Sequence, residues 1–242
     1  MNNQGFFNDE LLEKRVDTFY GYGNYQGNYW FVGMEEAGGD FNDINNRINI
    51  WSNRGKQEIE DIAEYHIAME TWDAKIQPTW KGLIRIILSA KGRENIDRED
   101  VRKYQIDELG RKDKETCLLE LLPLPSPSLK HWIFAQQSRL RFLSNRDTYE
   151  KYCLEKRINH ISQRIKEHQP KAVVFYGIGY KDFWRRITEK ITDVEFSQTS
   201  EGLLICRNNS KTVFIIAKHP VAFGLKNEYF HNIGRLTTAN LA

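Results

Sequence analysis

Tyr29-Trp30-Phe31-Val32-Gly33-Met34-Glu35-Glu36-Ala37-Gly38-Gly39-Asp40 is a short apolar run that opens into a glycine-rich loop carrying carboxylates. Bulky apolar residues without helical spacing, followed by glycines, read as a buried strand over about 28–33. Far downstream, Thr212-Val213-Phe214-Ile215-Ile216-Ala217 repeats the pattern and opens into Lys218-His219-Pro220. In an open parallel sheet, the loops at the carboxyl ends of the strands meet along one edge, where ligands bind. The two stretches therefore predict an α/β fold. They also set a carboxylate and an imidazole, a pair suited to splitting a polar bond, on the same edge.

The rest of the chain fills in around these strands. Residues 9–20 place Leu12, Val16 and Phe19 on one helical face. Gly21, Gly23 and Gly27, interleaved with Tyr22 and Tyr25, predict a loop. Ile59, Ile62, Ala63, His66 and Ile67 recur at helical spacing, and His66 on that face reads as a satisfied core histidine. After Pro78, a stripe of Trp80, Leu83, Ile84, Ile87 and Leu88 predicts a second helix. Asp97 and Asp100 predict the start of a third, with Gly110 placed to end it. Residues 116–122 form the next strand, stopped by Pro123, Pro125 and Pro127 at alternate positions. Ser144 or Asn145 caps a long helix of about 146–168, and Pro170 closes it. Residues 171–177 are the clearest buried strand, and a helix with Phe183, Ile187 and Ile191 on one face follows. Asn208-Asn209-Ser210-Lys211 predicts a hairpin between 203–207, read as an antiparallel edge strand, and 212–217. A last helix spans about 227–238. This alternation predicts a three-layer α/β/α sandwich with a mostly parallel central sheet of four or more strands. No repeat or linker divides it, so residues 1–242 read as a single domain.

Composition narrows the function classes. Apolar residues at 40% and charged residues at 28% describe an ordinary water-soluble chain. No apolar run approaches the roughly 18 residues that a membrane span needs. The first residues lack the basic and apolar regions of a signal peptide, so the cytoplasm is the expected compartment. Cys117, Cys153 and Cys206 form no metal-ligand spacing, and the six histidines lack an HExxH or HxH pattern, so no metal site is expected. Gly177-Ile178-Gly179 follows a strand but lacks the third glycine of a dinucleotide fingerprint, so no organic cofactor is expected. The net charge of +2 divides unevenly, with −7 on residues 1–128 and +9 on 129–242. A basic half reads either as a phosphate-binding face or as solvated helix surface.

Four strand-end stretches then align in order with a known family. They are Gly33-Met34-Glu35-Glu36-Ala37-Gly38, Leu118-Leu119-Glu120-Leu121-Leu122-Pro123, Val173-Val174-Phe175-Tyr176-Gly177 and His219-Pro220-Val221-Ala222-Phe223-Gly224-Leu225. In this set, over roughly residues 25–237, the chain resembles the uracil-DNA glycosylase superfamily. It departs from the family at three places. Glu36 stands where the first motif has Pro, Glu120 where an Asn reads the base edge, and Val221 where Ser follows His-Pro. The cysteine set that holds an iron–sulfur cluster in some branches is also missing.

The resemblance implies a uracil-DNA glycosylase-like fold and cleavage of a base–sugar bond in single- or double-stranded DNA, or binding of a nucleotide, with no cofactor or metal. Glu35 occupies the place of a water-directing carboxylate, and His219 that of a donor to the departing base. The plainer alternatives are a carboxylate favoured by a helix dipole and an exposed histidine in a strand-end turn. Lys218 reads as a DNA-backbone contact rather than a Schiff-base nucleophile. Phe41 is the expected stacking partner for the base, ahead of Tyr22 and Trp30. Phe223 and Leu225 lie where the family inserts an apolar wedge, unless they fold back onto the core. Lys130, Arg139, Arg141 and Lys226 complete the expected DNA-binding set. Glu120, if ionised, accepts only and disfavours uracil; if burial keeps it protonated, it imitates Asn. Pairing of Glu120 with an Arg or Lys is the remaining alternative. The expected substrate is therefore a damaged or unusual base other than uracil, and the expected alternative is a non-catalytic binding module on the same fold.

Overall fold

The computed structural model describes residues 5–72, 75–126, 131–207 and 212–238. In chain order its elements begin with α1 (Asp9–Thr18), β1 (Gly21–Gly23), β2 (Tyr29–Gly33), α2 (Phe41–Asn53) and β3 (Ile59–Glu60). Next come α3 (Ile62–Ala68), α4 (Pro78–Ala90), α5 (Arg98–Asp107), β4 (Thr116–Glu120) and α6 (Phe134–Gln137). Then follow α7 (Arg146–His168), β5 (Ala172–Tyr176), α8 (Lys181–Glu189), β6 (Ser197–Gln198), β7 (Leu204–Arg207), β8 (Val213–Ala217) and α9 (Asn227–Thr238).

Among the described residues the strands form one eight-stranded mixed sheet, in the order β3-β1-β4-β2-β5-β8-β7-β6. Its centre, β4-β2-β5-β8, is parallel throughout. Antiparallel pairing is confined to the flanks, where β1 meets β4 and where β8, β7 and β6 succeed one another. From β2 the chain crosses first to β4 on one side and later to β5 on the other. The strand order therefore reverses at the β2/β5 boundary, the position where open α/β sheets form a crevice.

The alternation of side chains along the strands builds two cores. Trp30, Val32, Cys117, Leu119, Val173 and Phe175 pack on one face with residues of α1, α2, α7 and α8. Tyr29, Phe31, Leu118, Val174 and Ile215 pack on the other with residues of α3, α4 and α9. Both faces of the sheet are thus covered by helices, which is why the central strands read as unbroken apolar runs. The helix starts follow capping chemistry. Asp40, Asp61 and Asn145 accept backbone N–H bonds at the first turns of α2, α3 and α7. Asp97 and Asp100 form the reciprocal capping box of α5.

The structure differs from the sequence reading at several joints. The glycine-rich segment 21–27 contains β1, because Gly21 and Gly23 let it lie against the β4 backbone at positive φ. Ile59 belongs to β3 rather than to a helix, and Ile67 is 58% exposed because α3 turns Ile62, Ala63 and Tyr65 to the core instead. β7 is not an edge strand, since β6 pairs outside it. The turn expected at 208–211 lies outside the described residues. Cys117, Cys153 and Cys206 are buried free thiols. No helix among the described residues is long and apolar enough to cross a membrane.

Candidate functional site

A cavity of about 620 Å³ opens at the carboxyl edge of the central strands, and Glu35, Glu120 and His219 all line it. Glu35 follows β2, Glu120 ends β4 and His219 follows β8, so three different strands deliver the three groups. Tyr176, the last residue of β5, adds a fourth. Gln77, Thr79 and Trp80, from the start of α4, and His66, from α3, also line it. The size is that of an ordinary small-ligand pocket.

The walls are fixed by backbone bonds between strand-end loops. Leu121 N–H donates to Gly33 O at 2.8 Å and Leu122 N–H to Met34 O at 2.7 Å. Ser126 N–H donates to Glu36 O at 3.1 Å, and Gly38 N–H returns the bond to Ser126 O at 3.0 Å. The loop after β2 and the proline-bearing loop after β4 are therefore stitched together. Arg157 holds the same place from below. Its buried guanidinium donates to the carbonyls of Phe19, Glu120 and Leu121 at 2.8, 2.7 and 2.6 Å.

The carboxylates of the first loop are each paired. Arg146 Nη2 donates to Glu35 Oε2 at 2.6 Å while its Nε holds Glu150 at 3.0 Å. Burial pushes the Glu35 pKa up, and the Arg146 bond and charge oppose that rise. Glu35 does not cap α2, because Asp40 does so and Asp43 accepts Gly39 N–H. Glu36 Oε2 meets Arg47 Nη1 at 3.3 Å, and Arg47 also binds Asp43.

Glu120 is held differently. Oε1 accepts the Tyr176 hydroxyl at 3.0 Å, and Oε2 is shut off from solvent with no hydrogen-bond partner. Among the described residues the carboxyl thus bonds to Tyr176 and to no Arg or Lys. Burial, reinforced by the charge of Glu36, pushes its pKa up to about 8, against a lowering by the Tyr176 bond. Gly33 makes room for this pair. A Cβ at Gly33 would collide with the Tyr176 hydroxyl and lie 2.6 Å from Glu120 Oε2.

His219 is half-buried, and burial lowers its pKa, so the ring is neutral near pH 7. Val221 N–H donates a long bond of 3.4 Å to Nδ1, which leaves the ring proton on Nε2 as a donor. The ring meets Tyr176 edge-on at 5.5 Å.

The expected stacking residue is misplaced. Phe41, at the first position of α2, packs on Phe7 at 4.6 Å and lines a separate cavity with Trp132 and Arg146. Trp30 is fully buried in the core, whereas Tyr22 does line the candidate site. Trp80, expected on the inner stripe of α4, packs against that core and lines the cavity as well. His66 bonds Thr71 at 2.9 Å and packs against Trp80, so it is both satisfied and part of the wall.

The outer groups separate into two sets. Lys218, Phe223, Leu225 and Lys226 lie with His219 in the loop between β8 and α9. Phe223 is fully exposed at its tip, while Leu225 packs back onto the core. Arg139 and Arg141 are exposed between α6 and α7 and do not line the cavity. Arg139 stacks on Phe6, and its backbone N–H binds Asp9. Lys130 lies outside the described residues. Part of the basic excess is consumed within the fold, by Arg146, Arg157, and Arg164 on Glu58. The links of Arg146 to Glu35 and of Tyr176 to Glu120 span 111 and 56 positions of the chain and gave no signal in the sequence.

Among the described residues no group of three or more His, Cys, Asp and Glu side chains is arranged to hold a metal ion. No protein-family model matches the chain, and no curated protein sequence matches it significantly.

Proposed function

We propose that the chain is a DNA glycosylase-like protein that hydrolyses the N-glycosidic bond of a damaged or unusual base in DNA. The observation that carries this reading is the meeting of Glu35, Glu120 and His219, from three strand ends, in one cavity large enough for a base with its sugar. In this reading Glu35 orients the attacking water and stabilises positive charge on the sugar. His219 donates from Nε2 to the base as it leaves with negative charge. Glu120 and Tyr176 contact the base edge, and Tyr22 and Trp80 supply aromatic surface in place of Phe41. Phe223 reaches into the duplex where the base has left the stack, with Lys218 and Lys226 beside it on the phosphates. A cytoplasmic setting and a uracil-DNA glycosylase-like fold belong to the same proposal.

The ion pair between Glu35 and Arg146 favours a second reading, a binding module of the same shape that holds a base or nucleotide without cleaving it. A panel of oligonucleotides, each carrying one lesion base, separates the two. Alkali-labile breaks at one or more lesions support hydrolysis; retention without breaks supports the module; neither result leaves no role for DNA.

A further inference from the structure

A second cavity, of about 690 Å³, adjoins the first. The two share a wall, because Arg146 lines the second and donates at 2.6 Å to Glu35, which lines the first. Two half-buried aromatic side chains, Phe41 and Trp132, form part of its lining. The Trp132 ring is held in place. Its Nε1 donates to Leu143 O at 2.8 Å, and the rings of Phe134 and Tyr149 pack against it at 4.8 and 4.9 Å. Phe41 is braced by Phe7 at 4.6 Å. Gln136 and Ser144, both exposed, add an amide and a hydroxyl to the lining. A fixed aromatic surface with polar groups beside it suits a flat heterocycle, which stacks on the rings and bonds through its edge.

The charge around this second cavity suits phosphate. Most of its lining comes from residues 131–137 and 144–146, and Arg139 and Arg141 lie exposed on the segment that joins the two. Arg139 stacks on Phe6, and neither guanidinium forms an ion pair among the described residues. Asp40, the carboxylate on this wall, is occupied by Asp43 N–H at 3.1 Å. Basic groups beside aromatic platforms are how proteins hold single-stranded nucleic acid. We propose that the second cavity takes the base of an unpaired nucleotide next to the one in the first cavity. The protein then grips two successive nucleotides of a single strand, with Arg139 and Arg141 on the phosphates. In a duplex the second site stays out of reach unless a further base leaves the stack, at the cost of a second unstacking. The inference rests on reading the first cavity as a base site.

The test uses the whole protein and three single DNA strands of equal length. One has a mixed sequence of adenine, cytosine and thymine; one has every second nucleotide replaced by a stable abasic analogue; one is abasic throughout. The phosphates are the same in all three. In the alternating strand no base has a base beside it, so successive nucleotides cannot fill both cavities. Fluorescence anisotropy should show the mixed strand binding roughly tenfold more tightly than the alternating one, the scale of one stacked base. That exceeds the statistical effect of halving the number of bases. Trp132→Ala should abolish the difference, and the comparison on wild type stands whether or not that variant folds. Arg139→Gln with Arg141→Gln should lower the slope of log affinity against log salt by about 0.7 per arginine. Equal wild-type binding of the mixed and alternating strands would overturn the inference, as would a preference that survives in folded Trp132→Ala. An unchanged salt slope would overturn the placing of the phosphates. If the mixed and alternating strands bind equally, but both more tightly than the abasic one, the first cavity still holds a base and only the second site is lost. Equal binding of all three, or no binding, would remove both readings.

Discussion

Glu120→Gln should change the way stability depends on pH. In the folded protein the Glu120 carboxyl titrates at about 8, against 4.5 in the unfolded chain. A carboxyl whose folded pKa is raised contributes fully only below its unfolded pKa. That contribution is lost as pH rises toward the folded value, because unfolding releases the proton. Between pH 5 and pH 8 the wild type should therefore lose about 3 kcal/mol that the Gln variant keeps, at 1.36 kcal/mol per unit. Gln can still accept the Tyr176 hydroxyl, so the variant should fold. Urea unfolding of both proteins at half-unit pH steps reads the difference directly. Two stability curves running parallel across this range would refute the reasoning. They would mean that the carboxyl is solvated or paired and that no proton is trapped at the cavity floor.

Other outcomes follow from the same geometry. Gly33→Ala should cost about 2 kcal/mol or more in chemical denaturation, since its Cβ would collide with the Tyr176 hydroxyl and Glu120. Phe223→Ser should leave thermal stability within about 0.5 kcal/mol, because the ring is fully exposed. The same variant should weaken duplex DNA binding roughly tenfold, the scale of one lost stacking contact; unchanged DNA affinity would remove the wedge. DNA affinity of the wild type should fall log-linearly with salt. A flat salt response, or no binding at about 50 mM salt, would point to a free nucleotide as the ligand.

Much of the fold was legible because apolar runs and caps are local signals. The strands at 29–33, 116–120, 172–176 and 213–217 follow from β-type apolar stretches, and α7 begins at the cap that Asn145 announces. What was not legible depended on distant partners. β1 is a strand only because glycines let it touch β4. Arg15 is buried over the Phe19 ring at 3.9 Å, a place that no local pattern marks. Arg157 reads as part of a basic face, yet it fastens three carbonyls beneath the site. For the site, the strand-end rule placed Glu35, Glu120 and His219 on one edge, and the cavity unites them. Of the aromatic wall, only Tyr22 was among the stacking candidates. Phe41 follows the motif loop in sequence, but helix α2 turns it toward Phe7, and Tyr22, Trp80 and Tyr176 face the cavity instead.

The central claim is that Glu35 and His219 act together on a base–sugar bond, and single-turnover excision measures it most directly. Wild type, Glu35→Gln and His219→Ala would be compared on the best substrate from the lesion panel, with DNA binding measured in parallel. Each variant should bind DNA as wild type does and cleave roughly a hundredfold or more slowly. Wild-type rates in both variants, or no excision of any base by the wild type, would contradict the account.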